Sequence, residues 1–391
     1  MEALIPTYNR LPVSFTHGNG AWLYDEAGHA YLDGVAGIAV CGLGHAHPAV
    51  ARAVCEQAQR LVHTSNLYRV PLQERLAERL CRLSGLDAAF FCNSGAEANE
   101  AAIKLARRYG SGRGIAEPRI IVAENGFHGR TLGALAATGN PRAQEGFEPL
   151  PEGFVRVPYG DADAVAGVTD DTVCAVLIEP IQGEGGVHIP PSGYLERLRA
   201  LCDQRGWLLM LDEVQTGLGR TGTMFAFEHE RVRPDVLLLA KALGNGFPIG
   251  ACLAGGEAAR ALGPGSHGTT FGGNPLAASA ALAVLDTLEQ ESIPAAAERA
   301  GHALRERLAT ALEGVAAVRE IRGRGLMVGV ELDRDVSGLP REALDAGLLL
   351  NVTAGSVIRL IPPLTLDEDE TRRLADGVAD VLRRHLAEAA S

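Results

Sequence analysis

Two lysines stand out in a chain that otherwise carries its positive charge on arginine. Of the 36 basic residues in the 391-residue sequence, only Lys104 and Lys241 are lysine. Arginine serves wherever a plain positive charge is enough, whereas the lysine amine loses its proton readily and attacks a carbonyl carbon. Both lysines are therefore candidates for covalent chemistry.

The surroundings of the two lysines favour Lys241 as the reactive one. Lys104 lies in a predicted helix over residues 96–109, four residues after Glu100, a spacing that favours a surface ion pair. Lys241 follows the apolar run 235–240, which predicts a buried strand, and the glycine-rich segment ALGNGFPIG comes next. Because ligands gather at the carboxyl ends of strands in open α/β sheets, we expect Lys241 to face a ligand.

Two carboxylates end a second apolar run, in the segment MLDEVQTG. Asp212 and Glu213 follow the apolar residues directly, where a buried carboxylate is costly unless it is paired. A pyridinium N–H is such a partner, and an aspartate beside it keeps the ring nitrogen protonated, so that the ring accepts electrons from a carbanion. Asp212 and Lys241 together predict a pyridoxal 5′-phosphate (PLP) site in which Lys241 holds the cofactor as a Schiff base.

Three further segments offer groups for a phosphorylated cofactor and an acidic substrate. In NSGAEANE, Ser94, Gly95 and Ala96 precede a helix and can aim backbone N–H groups at an anion, although a simple helix cap accounts for the same residues. FHGR offers the ring of Phe127 for stacking and the guanidinium of Arg130 for a carboxylate. HGTTFGGNP is a second candidate anion-binding loop.

Other patterns that look like known sites are interpreted as structural. GPGSHG has the G-x-G-x-x-G spacing of dinucleotide-binding loops, but no strand leads closely into it and no helix opens on its last glycine. His45 and His47 lack the spacing of a helical metal pair and have no acidic or cysteine cluster beside them, so we expect no metal. The seven cysteines are scattered without a C-x-x-C pair, which favours buried free thiols in a reducing compartment.

The composition narrows the class of protein. With 47% apolar and 21% charged residues and a net charge of −12, the chain is typical of a globular protein that binds neither nucleic acid nor an anionic membrane surface. No apolar run reaches the ~18 residues that span a bilayer. The first residues lack the basic and apolar regions of a signal peptide, so we expect a cytoplasmic protein.

The order of apolar and amphipathic segments predicts the fold. Strand-like runs alternate with helical segments in the middle of the chain, which is typical of an α/β domain with a mostly parallel sheet and helices on both faces. Beyond residue 274 helices and strands are mixed. We predict a large domain over 61–274 and a smaller α+β domain built from 1–60 and 275–391. The strand-like runs are 120–124, 174–180, 207–214 and 235–240.

These segments belong to a longer resemblance. From about residue 6 to the C-terminal helix, the chain is similar to the class III, fold-type I aminotransferases, which depend on PLP. Nine blocks in the family's order are too specific to arise by chance. They are PTYNRLPV, YLDGVAGIAVCGLGHAHP, NSGAEANEAAIKLARRYG, FHGRTLGAL, IEPIQGEGG, LDEVQTGLGRTG, LAKALGNGFPIGA, GTTFGGNPLA and VIRLIPPLT.

The resemblance implies a role for each residue around the cofactor ring. Lys241 would hold PLP and, once the substrate has displaced it, move the proton that the reaction transfers. Asp212 would pair with the pyridinium nitrogen and Gln215 would reach the ring oxygen O3′. Phe127 and Val214 would pack on the two faces of the ring.

The resemblance also implies a phosphate site shared between the two subunits of a homodimer. Gly95 and Ala96, beside Ser94, would bind the phosphate from their own chain, and Thr270 would bind it from the neighbouring subunit. Ala96 departs from the family pattern, which often has a hydroxyl residue there. A backbone donor survives this change, but a side-chain bond to the phosphate does not.

Two arginines imply how one site accepts two different substrates. Arg130 would bind the carboxylate remote from the reacting amine, and Arg359 would bind the α-carboxylate of glutamate. Glu184 would neutralise Arg359 when the substrate brings no charge there, because an unpaired buried guanidinium is costly.

The remaining residues bear on the choice of amino donor. Family members that act on free ornithine have a tyrosine in place of Ile38, so Ile38 fits an acylated donor better. Tyr8 helps to separate the same subfamilies, and Thr269 would contact the donor. The resemblance therefore implies transfer of the side-chain amine of N2-acetylornithine to 2-oxoglutarate, giving glutamate, within arginine biosynthesis. Alternative donors are succinylornithine, succinyl-diaminopimelate and ornithine, and the alternative classes are a PLP aminomutase or decarboxylase and a non-catalytic PLP-binding protein.

Overall fold

A small four-stranded sheet contains three strands from the start of the chain and one strand from its C-terminal part. The computed structural model describes residues 3–388. Three consecutive antiparallel strands come first, followed by a distorted helical turn and a helix. These elements are β1 (Phe15–Asn19), β2 (Trp22–Asp25), β3 (Ala30–Asp33), α1 (Ala36–Ala39) and α2 (Pro48–Ala58).

Seven strands then form the main sheet. Its elements are α3 (Pro71–Ser84), β4 (Ala88–Cys92), α4 (Gly95–Gly112), β5 (Arg119–Ala123), α5 (Leu132–Ala137), α6 (Pro141–Gln144), β6 (Phe154–Val157), α7 (Ala162–Ala166), β7 (Val173–Ile178), α8 (Tyr194–Arg205), β8 (Leu208–Asp212), β9 (Val236–Leu239) and β10 (Gly250–Ala254). The spatial order is β4-β10-β9-β8-β7-β5-β6. Strands β9 to β6 are parallel, and β10 is antiparallel to both of its neighbours. The predicted mostly parallel sheet is confirmed.

The central strands send alternate side chains to two separate apolar cores. Leu209 and Leu237 belong to one core, together with residues of α8 and α9 (Pro275–Gln290). Met210 and Leu238 belong to the other, which α4 covers. Because successive side chains of a strand point to opposite faces, a sheet covered on both faces needs continuous apolar runs, as β7, β8 and β9 have.

The rest of the chain adds helices and a four-stranded antiparallel sheet. Its elements after α9 are α10 (Ile293–Ala311), β11 (Val318–Arg324), β12 (Met327–Leu332), α11 (Leu339–Asp345), β13 (Leu348–Leu349), β14 (Asn351–Thr353), β15 (Val357–Leu360) and α12 (Glu368–Glu388). The sheet has the order β11-β12-β15-β14, while β13 pairs in parallel with β3. The two ends of the chain therefore share a sheet, and domain boundaries at residues 60 and 274 stay a prediction.

The predicted ion pair between Lys104 and Glu100 is wrong. The Lys104 amine lies 2.9 Å from Nδ1 of His267, in a loop far along the chain. Glu100 instead accepts hydrogen bonds from the Thr131 hydroxyl at 2.6 Å and the Ala134 backbone N–H at 3.0 Å. The unpaired N–H groups at the start of α5 attract this carboxylate more strongly than a solvated amine does.

The cysteines are free, but not all are buried. Cys55 is exposed on α2, and Cys41 and Cys81 are partly exposed, so the prediction of buried thiols is wrong for Cys55. The four buried cysteines are Cys92, Cys174, Cys202 and Cys252. Among residues 3–388, no helix is both long and apolar enough to cross a membrane.

Candidate active site

A cavity of about 390 Å³ lies at the carboxyl edge of the main sheet. Strands β7, β8 and β9 end there side by side, and Glu179, Asp212 and Lys241 lie within two residues of their ends. Ten of the fifteen residues predicted for the site line this cavity. They are Ser94, Gly95, Ala96, Phe127, Arg130, Glu184, Asp212, Val214, Gln215 and Lys241.

Lys241 leaves β9 with an unusual backbone. Its φ is 46°, in the left-handed region that few non-glycine residues adopt. Burial lowers the pKa of its amine; Glu184 opposes this effect and the Arg359 guanidinium adds to it. A larger share of the amine is therefore neutral at a given pH, and the neutral amine is the form that attacks a carbonyl.

Asp212 is buried with a partner on each carboxylate oxygen. Its Oδ2 accepts a hydrogen bond from the Asn99 amide at 2.9 Å and lies 2.8 Å from Nδ1 of His128. Since a carboxylate only accepts, Nδ1 is the ring nitrogen that carries the proton. The other oxygen accepts from the Val214 backbone N–H at 3.1 Å. These donors offset the cost of burying a carboxylate at the cavity wall.

The start of α4 forms another wall of the cavity. The Ser94 hydroxyl accepts a hydrogen bond from the Glu97 N–H at 3.2 Å and so caps the helix. The N–H groups of Gly95 and Ala96, in the first turn, have no partner within the helix. A Cβ atom at Gly95 would lie 2.8 Å from Cγ1 of Val214, so glycine is required for this close approach. The segment is thus a capped helix whose first backbone N–H groups are placed to bind an anion.

Arg359 lies behind the cavity wall, in contact with two residues that form it. Its side chain is only 1% exposed. One guanidinium nitrogen, Nη1, lies 2.6 Å from the Glu184 carboxylate and 3.2 Å from the Gln215 side-chain oxygen. The other two nitrogens donate to the Asn351 side chain at 3.0 and 2.7 Å. Burial raises the pKa of Glu184, but Arg359, together with Lys241 and Gln215, lowers it below its usual value.

Comparison with known proteins gives the family. A family profile described as aminotransferase class-III matches residues 5–382. The chain belongs to the class-III aminotransferases. It is 54% identical to an acetylornithine aminotransferase of Nitrosomonas europaea, over 98% of each chain. It is 50% identical to an acetylornithine aminotransferase of Methanothermobacter thermautotrophicus, over 97% of this chain and 95% of the relative.

Solved structures of related aminotransferases share the fold. An ornithine aminotransferase from Toxoplasma gondii is 36% identical with a TM-score of 0.95, and the match covers 99% of this chain and 94% of that one. An N-acetylornithine aminotransferase from Stenotrophomonas maltophilia is 38% identical with a TM-score of 0.85, covering 97% and 98%. Together with the family match, these similarities confirm the predicted fold type I and the dependence on PLP.

The lining of the aminotransferase cavity fits PLP. The buried Asp212 carboxylate matches a pyridinium nitrogen, and the free N–H groups of α4 match a phosphate. Phe127 supplies an aromatic face, and Lys241 supplies an amine whose pKa burial has lowered. The cavity volume is within the range of small-molecule sites, about 300–1,000 Å³.

Four further predicted residues lie outside the cavity of this aminotransferase chain. Tyr8 is 75% exposed and Ile38 is 41% exposed. Thr269 accepts a hydrogen bond from the side chain of Asn93, a cavity residue, at 3.3 Å, and Thr270 is exposed. A single chain therefore does not bring these four residues to the reacting groups.

Among the cavity residues that the sequence did not predict, three polar ones lie at or beside Asp212. Asn99 and His128 contact Asp212, and Glu179 is a buried carboxylate next to them. Glu179 directly follows β7, Asp212 ends β8, and Lys241 comes two residues after β9, so the rule that found Lys241 and Asp212 also fits Glu179. His128 stands between Phe127 and Arg130 in a segment already considered, but its neighbours along the chain do not reveal its contact with Asp212.

Proposed function

We propose that this aminotransferase moves the side-chain amino group of N2-acetyl-L-ornithine to 2-oxoglutarate, giving N-acetyl-L-glutamate 5-semialdehyde and L-glutamate. The reaction is a step of arginine biosynthesis, which we place in the cytoplasm. The observation that carries the proposal is the ion pair between the buried Arg359 and Glu184 at the cavity wall. Relatives at 50% identity or more over nearly the whole chain are named acetylornithine aminotransferase, which supports the choice of donor.

The cofactor residues divide the chemical work. Bound PLP supplies a carbonyl carbon that exchanges the amine and a ring that withdraws electrons from the reacting carbon. Lys241 holds the cofactor and then carries the proton that leaves one carbon and enters another. Asp212, fixed by Asn99 and His128, holds a negative charge against the ring nitrogen so that the nitrogen keeps its proton.

Other residues hold the cofactor in place without taking part in proton transfer. The first N–H groups of α4, at Gly95 and Ala96, bind the phosphate with the help of Ser94 and the helix dipole. Gln215 would hydrogen-bond the ring oxygen O3′, and Phe127 and Val214 would pack on the faces of the ring.

The two arginines let one site serve both substrates. Arg130, which is exposed with its guanidinium carbon 5.7 Å from the Phe127 ring centre, binds the carboxylate far from the reacting amine. When glutamate binds, its α-carboxylate takes Arg359 from Glu184. When acetylornithine binds, the reacting carbon carries no carboxylate, and Glu184 keeps Arg359 neutralised.

A homodimer completes the site. Thr270 would reach the phosphate of the partner's site, and Tyr8, Ile38 and Thr269 would shape the donor pocket once the two chains meet. Large apolar side chains exposed on the single chain support an interface. They include Ile38, Leu61, Val62, Leu67, Tyr68 and Phe271. Within each subunit we propose a large domain over 61–274 and a small domain from 1–60 and 275–391.

A donor panel tests the proposed substrate. With 2-oxoglutarate fixed, kcat/KM is measured for acetylornithine, succinylornithine, succinyl-diaminopimelate, ornithine and 4-aminobutyrate. We expect acetylornithine to exceed ornithine and 4-aminobutyrate by at least tenfold, because the acylated donor suits Ile38. A higher value for a succinylated donor would move the assignment to that donor. Turnover without any need for 2-oxoglutarate would contradict aminotransfer to this acceptor.

A further inference from the structure

One buried carboxyl group connects the two parts of the cavity that the proposed function assigns to substrate recognition. Glu179 is 7% exposed and lines the cavity. Its Oε2 accepts a hydrogen bond from the backbone N–H of Phe127 at 2.9 Å, and its Oε1 accepts one from Gly183 at 3.3 Å. Phe127 begins the segment that carries Arg130, and Gly183 immediately precedes Glu184.

The two segments run close together around this carboxyl group. The side-chain amide of Gln182 donates to the Glu124 carbonyl at 2.7 Å. A Cβ atom at Gly185 would lie 2.9 Å from the Asn125 carbonyl oxygen, so the two backbones approach too closely for a larger residue. The Tyr159 hydroxyl fixes the base of the second segment by donating to the carbonyl of Glu179 at 3.0 Å.

Gly183 packs closely against the residues around Arg359. A Cβ atom at Gly183 would lie 2.2 Å from the side-chain oxygen of Gln215, which itself accepts a hydrogen bond from Arg359. There is no free space at this contact. A shift of Gly183 toward Gln215 therefore displaces that side chain, and with it the hydrogen bond to the Arg359 guanidinium.

We propose that Glu179 is a positioning residue that sets the distance between the Arg130 segment and the Glu184–Arg359 pair, and so determines how both substrates fit. The inference rests on the proposed roles of those arginines. Burial raises the pKa of Glu179, His128 and the two N–H donors oppose this shift, Asp212 adds to it, and the resulting pKa is about 7. Burying a carboxyl group costs free energy, but this one accepts a hydrogen bond from each of the two segments. A smaller or apolar residue could not hold both segments in this way.

Glu179→Gln tests the proposal with almost no change in volume. An amide has one acceptor oxygen, so its NH2 group must oppose one of the two backbone N–H groups. We expect KM for 2-oxoglutarate and for the best amino donor each to rise about tenfold, with kcat within about threefold of wild type. The visible absorbance of lysine-bound PLP should persist, because the hydrogen bonds of Asp212 and the Lys241 amine are retained.

Glu213 provides a matched control. It is 1% exposed, and it accepts hydrogen bonds from the backbone N–H groups of Ala226 at 2.6 Å and Phe227 at 2.9 Å. Burial raises the pKa of its carboxyl group to about 8. Glu213 does not line the cavity. Glu213→Gln should lower the thermal stability about as much as Glu179→Gln, while both KM values stay within about twofold of wild type.

The outcomes separate positioning from general support of the fold. Equal KM changes in the two variants, unchanged KM values in Glu179→Gln, or a loss confined to kcat would overturn the proposal. If Glu179→Gln does not fold, Gln182→Met serves as the test instead. It removes the hydrogen bond from the Gln182 amide to the Glu124 carbonyl, which also joins the two segments, and leaves Glu179 unchanged. A smaller rise in both KM values would then support the proposal, and unchanged values would overturn it. Failure of the proposed function would instead be seen in the wild-type enzyme, as absent turnover of acetylornithine.

Discussion

The cavity at the sheet edge and the segments expected to close it differ in how complete they are within one chain. Lys241 and Asp212 are supported by buried strands, and Asp212 has donors on both oxygens. Thr270 and Tyr8, by contrast, are exposed and contact none of these groups. Within one chain the groups proposed for amine chemistry already lie together, and we propose that substrate fit and part of the phosphate site depend on a second copy of the chain.

The largest effect should come from the lysine at the sheet edge. Lys241→Ala removes the amine that holds the cofactor and carries the proton, so we expect turnover to fall by ~10⁴-fold or more. The characteristic visible absorbance of lysine-bound PLP should disappear, while circular dichroism shows the fold retained. Lys104→Ala, which removes the only other lysine, is the control and should keep both properties. The reverse pattern would refute the assignment of Lys241.

Asp212→Asn should cause the second-largest loss of activity. The amide keeps the shape of the side chain but cannot hold the ring nitrogen protonated. The barrier should rise by several kcal/mol, or roughly 10³-fold in kcat. Phosphate and ring contacts remain, so the variant should still bind PLP, as equilibrium dialysis would show. A kcat within about threefold of wild type would remove Asp212 from the mechanism.

Replacing Arg359 should slow mainly one half-reaction, whereas replacing Arg130 should slow both. Arg359→Ala should impair the glutamate half-reaction by a few kcal/mol, about the worth of a charge-assisted bidentate pair lost from a buried site. The acetylornithine half-reaction should be affected far less, because the reacting carbon of that donor carries no carboxylate. Arg130→Ala should damage both half-reactions. Single-turnover absorbance traces with each donor measure these losses separately.

Glu184 gives the converse test of the same switch. Glu184→Gln removes the charge that neutralises Arg359, so preference should shift toward glutamate and away from acetylornithine. Equal losses in both half-reactions for Arg359→Ala would contradict the switching model, whatever Glu184→Gln does. The assignment of PLP would stand in either case.

The smallest effect belongs to the segment that one chain leaves exposed. Thr270→Val removes the hydroxyl that we propose donates to the phosphate, a hydrogen bond worth ~1.5–3 kcal/mol, so the Kd of PLP should rise about 10- to 100-fold. Mixing this variant with Lys241→Ala sharpens the comparison. If Thr270 acts across the dimer, mixed dimers contain one site with both residues intact and regain activity. No recovery on mixing would place Thr270 in its own subunit's site.

The sequence predicted residues that end buried strands better than residues that tertiary packing brings in. Lys241 and Asp212 each end a continuous apolar run, so their place at the sheet edge could be predicted. Asn99 and His128 lie 113 and 84 residues from Asp212 along the chain, and nothing in their local pattern indicates the contact. Glu179 directly follows β7, which ends at Ile178, much as Asp212 ends β8, so its place at the sheet edge could have been predicted as well.

Because the chain has only two lysines, the masses of its peptides after cleavage at lysine show which lysine carries the cofactor. Lys104 is exposed on α4, and Lys241 lines the cavity. A protease that cuts only after lysine divides the unfolded chain into residues 1–104, 105–241 and 242–391. After borohydride reduction of the holoenzyme, a cofactor fixed on Lys241 blocks the second cut, and residues 105–391 remain as one fragment. Cleavage after Lys241 alone therefore reports whether the cofactor is attached there.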